Sequence, residues 1–205
     1  MELSKPVLKV SVFSDYICPF CYVGDARLDG LRDRYALKVN WCFLEIHPET
    51  SPEGEPIASL NYPAATWQRM MARLRQMAEE ENLSLRDQDF TTNSRAASQL
   101  AEAAKLVDRD VFYRLHARIF QAYFAEGMNI GDRECLRRLA REAGMSDDRI
   151  EAAWQDPAIA KRLRQYQMAA RDLGVKATPT FFIGDRRLDG AVPTDQLLQA
   201  ASVVS

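Results

Sequence analysis

The chain is poor in metal and disulfide chemistry: it has two histidines and four cysteines in 205 residues. Zinc needs four nitrogen or sulfur ligands, and Cys42, Cys135, His47 and His116 are single residues with no partner at ligand spacing, so no metal is expected. Four cysteines are also too few to staple a secreted scaffold of this size, which favours a reducing, cytoplasmic compartment with one catalytic pair. The N-terminal Met1-Glu2-Leu3-Ser4-Lys5-Pro6 lacks the apolar core of an export signal, and no apolar run is long enough to span a bilayer. Blocks of like charge are missing too. The net charge is -2, with 27 basic and 29 acidic residues interspersed, so there is no electrostatic footprint for nucleic acid or an anionic membrane. Neither is expected as a partner.

With 47% hydrophobic residues the chain can build a core, and its length suits one domain with an insertion or two small ones. Val7 to Phe13 has the β-branched and aromatic content of a buried strand. It runs through a short turn into Cys18-Pro19-Phe20-Cys21, two cysteines that open a helix. The first N–H groups of a helix have no internal partner and carry partial positive charge, which favours a thiolate at Cys18. Pro19 suits a first helical position, where its missing N–H is not needed. Cys18 is thus the expected nucleophile, with a lowered pKa. Cys21, three residues on, shares the helix face within disulfide reach and is the expected resolving thiol. Half of a zinc site and a pair of inert core thiols are the competing readings. Four ligands are wanting for the first, and the strand before Cys18 and the proline between the thiols argue against the second.

A helix is expected from about Pro19 to Tyr35, then a strand over Lys38 to Leu44 with Val39, Trp41 and Phe43 on one face. A strand-helix-strand unit of this length implies parallel strands with a right-handed crossover. Cys42 reads as a buried structural thiol. Pro48, Pro52, Gly54 and Pro56 then punctuate the chain, after which the pattern is helical as far as Gly174. The expected organisation is a domain made of 1–60 and 175–205 with an all-helical insertion over 61–174.

Within the insertion, a helix opening near Asn61 and Pro63 carries Trp67, Met70, Met71, Leu74 and Met77 as one apolar stripe. The stripe is ordinary core or, on the sharper reading, a flexible substrate wall of Trp67, Met70, Met71 and Met77. Further helices are expected over 93–107, after a cap at Asp108 as far as Gly127, after Asp132 as far as Gly144, from Ser146 to Trp154, and from Asp156-Pro157 to Gly174. Cys135 reads as core, and His116 as a structural or surface residue. Strand character resumes at Thr178-Pro179-Thr180-Phe181-Phe182-Ile183, followed by a Gly184-Asp185 hairpin turn and a closing helix from Pro193.

Strand, CxxC at a helix start, strand, helical insertion, Thr-Pro-Thr, hairpin and helix together resemble the thioredoxin fold of the DsbA family over essentially the whole chain. The FrnE-like branch is the nearer likeness, with 2-hydroxychromene-2-carboxylate isomerases and kappa-class glutathione transferases as further relatives. Ser14 to Gly24, Phe43 to Glu49, Phe120 to Gly127 and Gly174 to Phe181 carry it. The resemblance implies an α/β thioredoxin fold with a helical insertion, and a cis Thr178-Pro179 bond facing the cysteines, where the Thr178 backbone can pair with an extended substrate. It implies that Cys18 attacks and Cys21 resolves, with Pro19, Phe20, Thr178 and Pro179 as substrate contacts. The isomerase and transferase relatives lack the second cysteine, so its presence favours disulfide exchange. Two positions depart from the pattern. Ser98 replaces a histidine found in many FrnE-like sequences, and the Pro19-Phe20 dipeptide lacks the histidine of the strongly oxidising DsbA enzymes.

The expected activity is therefore thiol-disulfide exchange with protein or small-molecule thiols and disulfides through a redox-active Cys18–Cys21 disulfide, with no bound cofactor and with glutathione as a possible co-substrate. Alternatives are a glutathione-dependent isomerase or transferase acting on a small molecule, and a redox-sensing or chaperone-like binder. No oligomeric state follows from the sequence.

Overall fold

A computed structural model describes residues 5–204. Met1 to Ser4, which belong to the stretch read above as lacking an export signal, and Ser205 lie outside the described residues. Strand β1 (Val7–Ser14) pairs in parallel with β2 (Ala36–Phe43), and antiparallel with β5 (Thr180–Ile183) on its other edge. Strand β6 (Arg186–Asp189) completes a four-stranded sheet in the order β2-β1-β5-β6. With strand partners on both edges, β1 buries Leu8, Val10, Val12 and Phe13.

Helix α1 (Pro19–Asp29) makes the crossover between β1 and β2. It is shorter than the sequence predicts, because at Gly30 the chain tightens into a 3-10 turn over Gly30–Asp33 and reaches β2 in fewer residues. Residues between β2 and β5 supply six helices: α2 (Ala64–Glu80), α3 (Arg95–Ala104), α4 (Arg109–Phe124), α5 (Arg133–Ala143), α6 (Asp147–Gln155) and α7 (Pro157–Asp172). Helix α8 (Thr194–Ser202) closes the chain. Local chemistry explains several boundaries. Asp108 and Asp132 each accept two N–H groups of the following first turn, Asp156 accepts one, and Gly144 ends α5 at a φ of +100°.

Between α2 and α3 the chain is not helical: residues 81–94 form a connection that carries β4 (Phe90–Thr91), which pairs with β3 (Glu55–Pro56) upstream. Pairing across that separation leaves no periodic signal in either segment. Cys42 is buried as expected, while Cys135 is only half-buried and packs against the edge of the core. His116 is buried against Tyr16, Trp41 and Phe43, and its Nδ1 lies 2.7 Å from the Tyr16 hydroxyl. Among the described residues, no helix is long and apolar enough to cross a membrane.

Candidate active site

The chain leaves β1 at Ser14 and turns through Asp15, Tyr16 and Ile17 onto Cys18, which takes the N-cap position of α1 in extended conformation, with Pro19 as first helical residue. Cys18 N–H donates to Asp15 O at 3.2 Å and Cys21 N–H to Cys18 O at 2.9 Å, so the pair sits on one tight turn. Antiparallel pairing of Phe13 with Thr180 then brings the residues before β5 beside this turn. The Thr178-Pro179 bond is cis. The Cys18 thiol donates to the Thr178 carbonyl at 3.3 Å. Pro179 packs on α1 at Gly24, where a Cβ would lie 2.9 Å from the proline ring, and Gly190 N–H anchors the Pro179 carbonyl at 2.7 Å.

The four cysteines are free thiols, and they are not equivalent. Burial pushes Cys42 up to about 11 and raises Cys21 and Cys135 as well. Cys18 alone is lowered, chiefly by the hydrogen bond from the Cys21 thiol and, against the opposing effect of burial, by the Thr178 side chain and the Cys21 backbone N–H. A thiolate at Cys18 is therefore the favoured nucleophile at this turn.

Cys18, Pro19, Phe20 and Thr178 form one side of a cavity of about 410 Å³. The facing side is apolar: Ile57, Leu60, Trp67, Met70 and Met71. His47, Tyr62, Arg75 and Arg86 also line it; Tyr62 stacks on Trp67 at 5.9 Å, and Arg75 is engaged with Asp87 at 2.6 Å. Trp67, Met70 and Met71 thus share one space with Cys18. Met77 does not. One and a half turns beyond Met71, it is buried with Leu74, Val23 and Ala191, because the helical stripe passes from the cavity onto α1 and the segment before α8. Pro179 is buried behind Thr178 rather than lining the cavity. Ser98 is buried in α3, and its hydroxyl makes no hydrogen bond.

Sequence reasoning assigned no site role to Asp15, His47 or Tyr62, although Asp15 and His47 lie in the stretches 14–24 and 43–49 that carry the family resemblance; the only signal of Tyr62 was its place before α2. Among the described residues, no group of three or more His, Cys, Asp or Glu side chains is placed to hold a metal ion.

The sequence matches the DSBA-like thioredoxin domain over residues 9–202. The chain belongs to that family. It is 30% identical over 198 residues to the uncharacterized protein YwbO of Bacillus subtilis, covering 94% of this chain and 95% of that one. A crystal structure of a probable DsbA oxidoreductase from Streptomyces coelicolor is similar at a TM-score of 0.84 and 26% identity, covering 96% of this chain and 89% of the other. The cytosolic disulfide reductase DsbM of Pseudomonas aeruginosa, solved with GSH, shares the fold at a TM-score of 0.67 and 20% identity, covering 96% and 95% of the two chains.

Proposed function

We propose that this DsbA-family protein is a thiol-disulfide oxidoreductase in which Cys18 is the attacking and Cys21 the resolving thiol, working in a reducing, cytoplasmic compartment. The observation that carries this reading is the contrast among the four cysteines: only Cys18 is lowered, and it lies beside the Thr178 carbonyl, at 3.3 Å, in the wall of the cavity. The Cys18 thiolate attacks one sulfur of a substrate disulfide, forming a mixed disulfide and releasing the other sulfur as a thiol. Cys21 then loses its proton and attacks Cys18. This releases the second substrate thiol and closes the Cys18–Cys21 disulfide, so two electrons pass to the substrate. Two equivalents of an external thiol, with glutathione as the candidate co-substrate, return the pair to its reduced form by the reverse exchange.

Thr178 offers its backbone to an extended substrate, Pro19 and Phe20 flank the reacting sulfur, and Trp67, Met70 and Met71 receive an apolar neighbour of the substrate sulfur. Pro179 contributes by positioning Thr178.

The test is dithiol-dependent reduction of a protein disulfide. Cys18→Ser is expected to fall to the uncatalysed rate, and Cys21→Ser to accumulate a mixed disulfide. Undiminished turnover in Cys18→Ser overturns the reading. One observation favours a second reading, a glutathione-dependent isomerase or transferase: the cavity is small and apolar enough for a small molecule. Full activity of Cys21→Ser on such a substrate with glutathione would decide for it.

A further inference from the structure

Asp15 lies under the Cys18 turn, and the exchange proposed above makes no use of its carboxyl group. It is fully buried, and no Lys, Arg or His nitrogen pairs with it among the described residues. Its Oδ1 accepts Ile17 N–H at 3.2 Å, its Oδ2 accepts Ile46 N–H at 2.7 Å, and its own backbone N–H points at Cys21 Sγ at 3.5 Å. One carboxyl group thereby ties the cysteine turn to the loop after β2, the loop that brings Ile46 and His47 into the cavity wall. Accepting both amides takes two acceptor oxygens. An asparagine has one, and its other end is a donor.

The charged and titratable groups around Asp15 do not neutralise it. Tyr16, Cys18 and Cys21 face it from the turn and α1, Tyr123 from α4, and Glu45 from the loop after β2. Glu45 is itself paired with Arg95 at the start of α3, at 3.1 Å, and the Ser94 hydroxyl is the remaining polar group beside the carboxyl. Burial raises Asp15 to about 6, so it is largely ionised at neutral pH, and its charge then works against ionisation of Cys18.

We propose that Asp15 is a positioning residue for disulfide exchange, whose carboxylate holds the Cys18 turn against the cavity wall and whose charge restrains the Cys18 thiolate. This rests on the reading of Cys18 as the attacking sulfur. A disulfide is a stronger oxidant the more its reduced form is stabilised. By restraining the thiolate, Asp15 makes the pair less oxidising than the helix start alone would, and so favours the reductase direction.

The test titrates the Cys18 thiolate by its ultraviolet absorbance in full-length Cys21→Ser, with and without Asp15→Asn. Cys42 and Cys135, raised by burial, stay protonated over the range that matters. Removing the charge is expected to lower the Cys18 midpoint by about half a pH unit or more, about threefold in thiolate population near the midpoint. If Asp15→Asn does not fold, Asp15→Ser removes the same charge and is expected to give the same shift. A purely structural Asp15 would lower stability and rate and leave the titration where it was, and an unmoved midpoint overturns the proposal. The two readings fail separately. Undiminished turnover in Cys18→Ser removes the exchange mechanism, whereas an inactive Cys18→Ser with an unmoved titration removes only the role of Asp15.

Discussion

The two sides of the cavity are built differently. On the cysteine side, β1 is hydrogen-bonded along both edges, residues 12–18 are all buried, and the Pro179 ring rests on Gly24. On the facing side, where α2 covers the cavity as a lid, the first half of the helix buries nothing; its first buried residue is Leu74. The lid is attached by its far end, where the buried Arg27 of α1 bonds Glu80 at 2.7 Å, Glu81 at 2.8 Å and the Ala191 carbonyl at 2.7 Å. The difference separates two tasks. On the proposed exchange reading, sulfur chemistry needs its groups held to within fractions of an ångström and so would use the sheet side, whereas recognition of varied apolar groups would tolerate a wall of Trp and Met fixed at one end.

Removing the lid's attachment breaks this comparison most directly. Arg27→Met keeps the apolar stem and removes the guanidinium, taking that donor from Glu81 and the Ala191 carbonyl and leaving Glu80 with Gln76 alone. Loss of one member of a buried ion pair costs about 3–5 kcal/mol, and because Glu80 is 48% exposed in its side chain the lower end, about 3 kcal/mol, is expected. Urea unfolding measures the loss. Limited proteolysis within 64–80 should accelerate more than proteolysis elsewhere, and equal acceleration throughout would mean that Arg27 supports the whole molecule rather than the lid.

The fixed side was the more legible of the two. The strand entering Cys18, Pro19 at the first helical position and the hairpin at Gly184-Asp185 all act within a few residues, so their signals are written side by side. The lid depends on contacts distant in sequence. Arg27 meets Glu80 and Glu81 more than fifty residues on, and in β3 Glu55 pairs with Thr91 of β4, 36 residues on. A charged residue within a helix reads as solvated surface until its partner is seen. Periodicity likewise drew Trp67, Met70, Met71 and Met77 as one stripe, since it reports which residues share a face and not what that face meets along its length. Asp15 was hidden for a related reason: an aspartate in a turn ordinarily accepts local amides, and its second oxygen here goes to Ile46, thirty-one positions away.

The fixed side also predicts a pH dependence that the lid does not. Asp15 is raised to about 6 in the folded protein, against about 3.9 in an unfolded chain. The folded state therefore binds the proton more tightly. The resulting stability is fully present below the unfolded value and is lost as pH rises through about 6, a decline of about 2–3 kcal/mol between pH 4 and pH 7 from this group alone. Urea unfolding of the wild type and Asp15→Asn across that range isolates it, because the difference between the two curves should change by that amount. A difference that stays constant would place the Asp15 carboxyl in solvent contact.

The smallest effect expected distinguishes two residues that the sequence treats alike. Trp67 lines the cavity and stacks on the exposed Tyr62, while Met77, on the same helix, is buried with Leu74, Val23 and Ala191. Trp67→Ala removes apolar surface that a bound substrate would cover, so KM for an apolar disulfide should rise about three- to tenfold, about 1 kcal/mol, with kcat and global stability little changed. Met77→Ala opens a space inside the packing that joins α2 to α1. It should therefore lower the urea midpoint by an amount corresponding to about 2–3 kcal/mol and leave KM near its wild-type value while the lid remains attached. If both variants raise KM to the same degree, the lid is recognised as one surface and the division drawn along α2 is wrong. If neither does, the apolar wall lies outside the path that substrates take to Cys18.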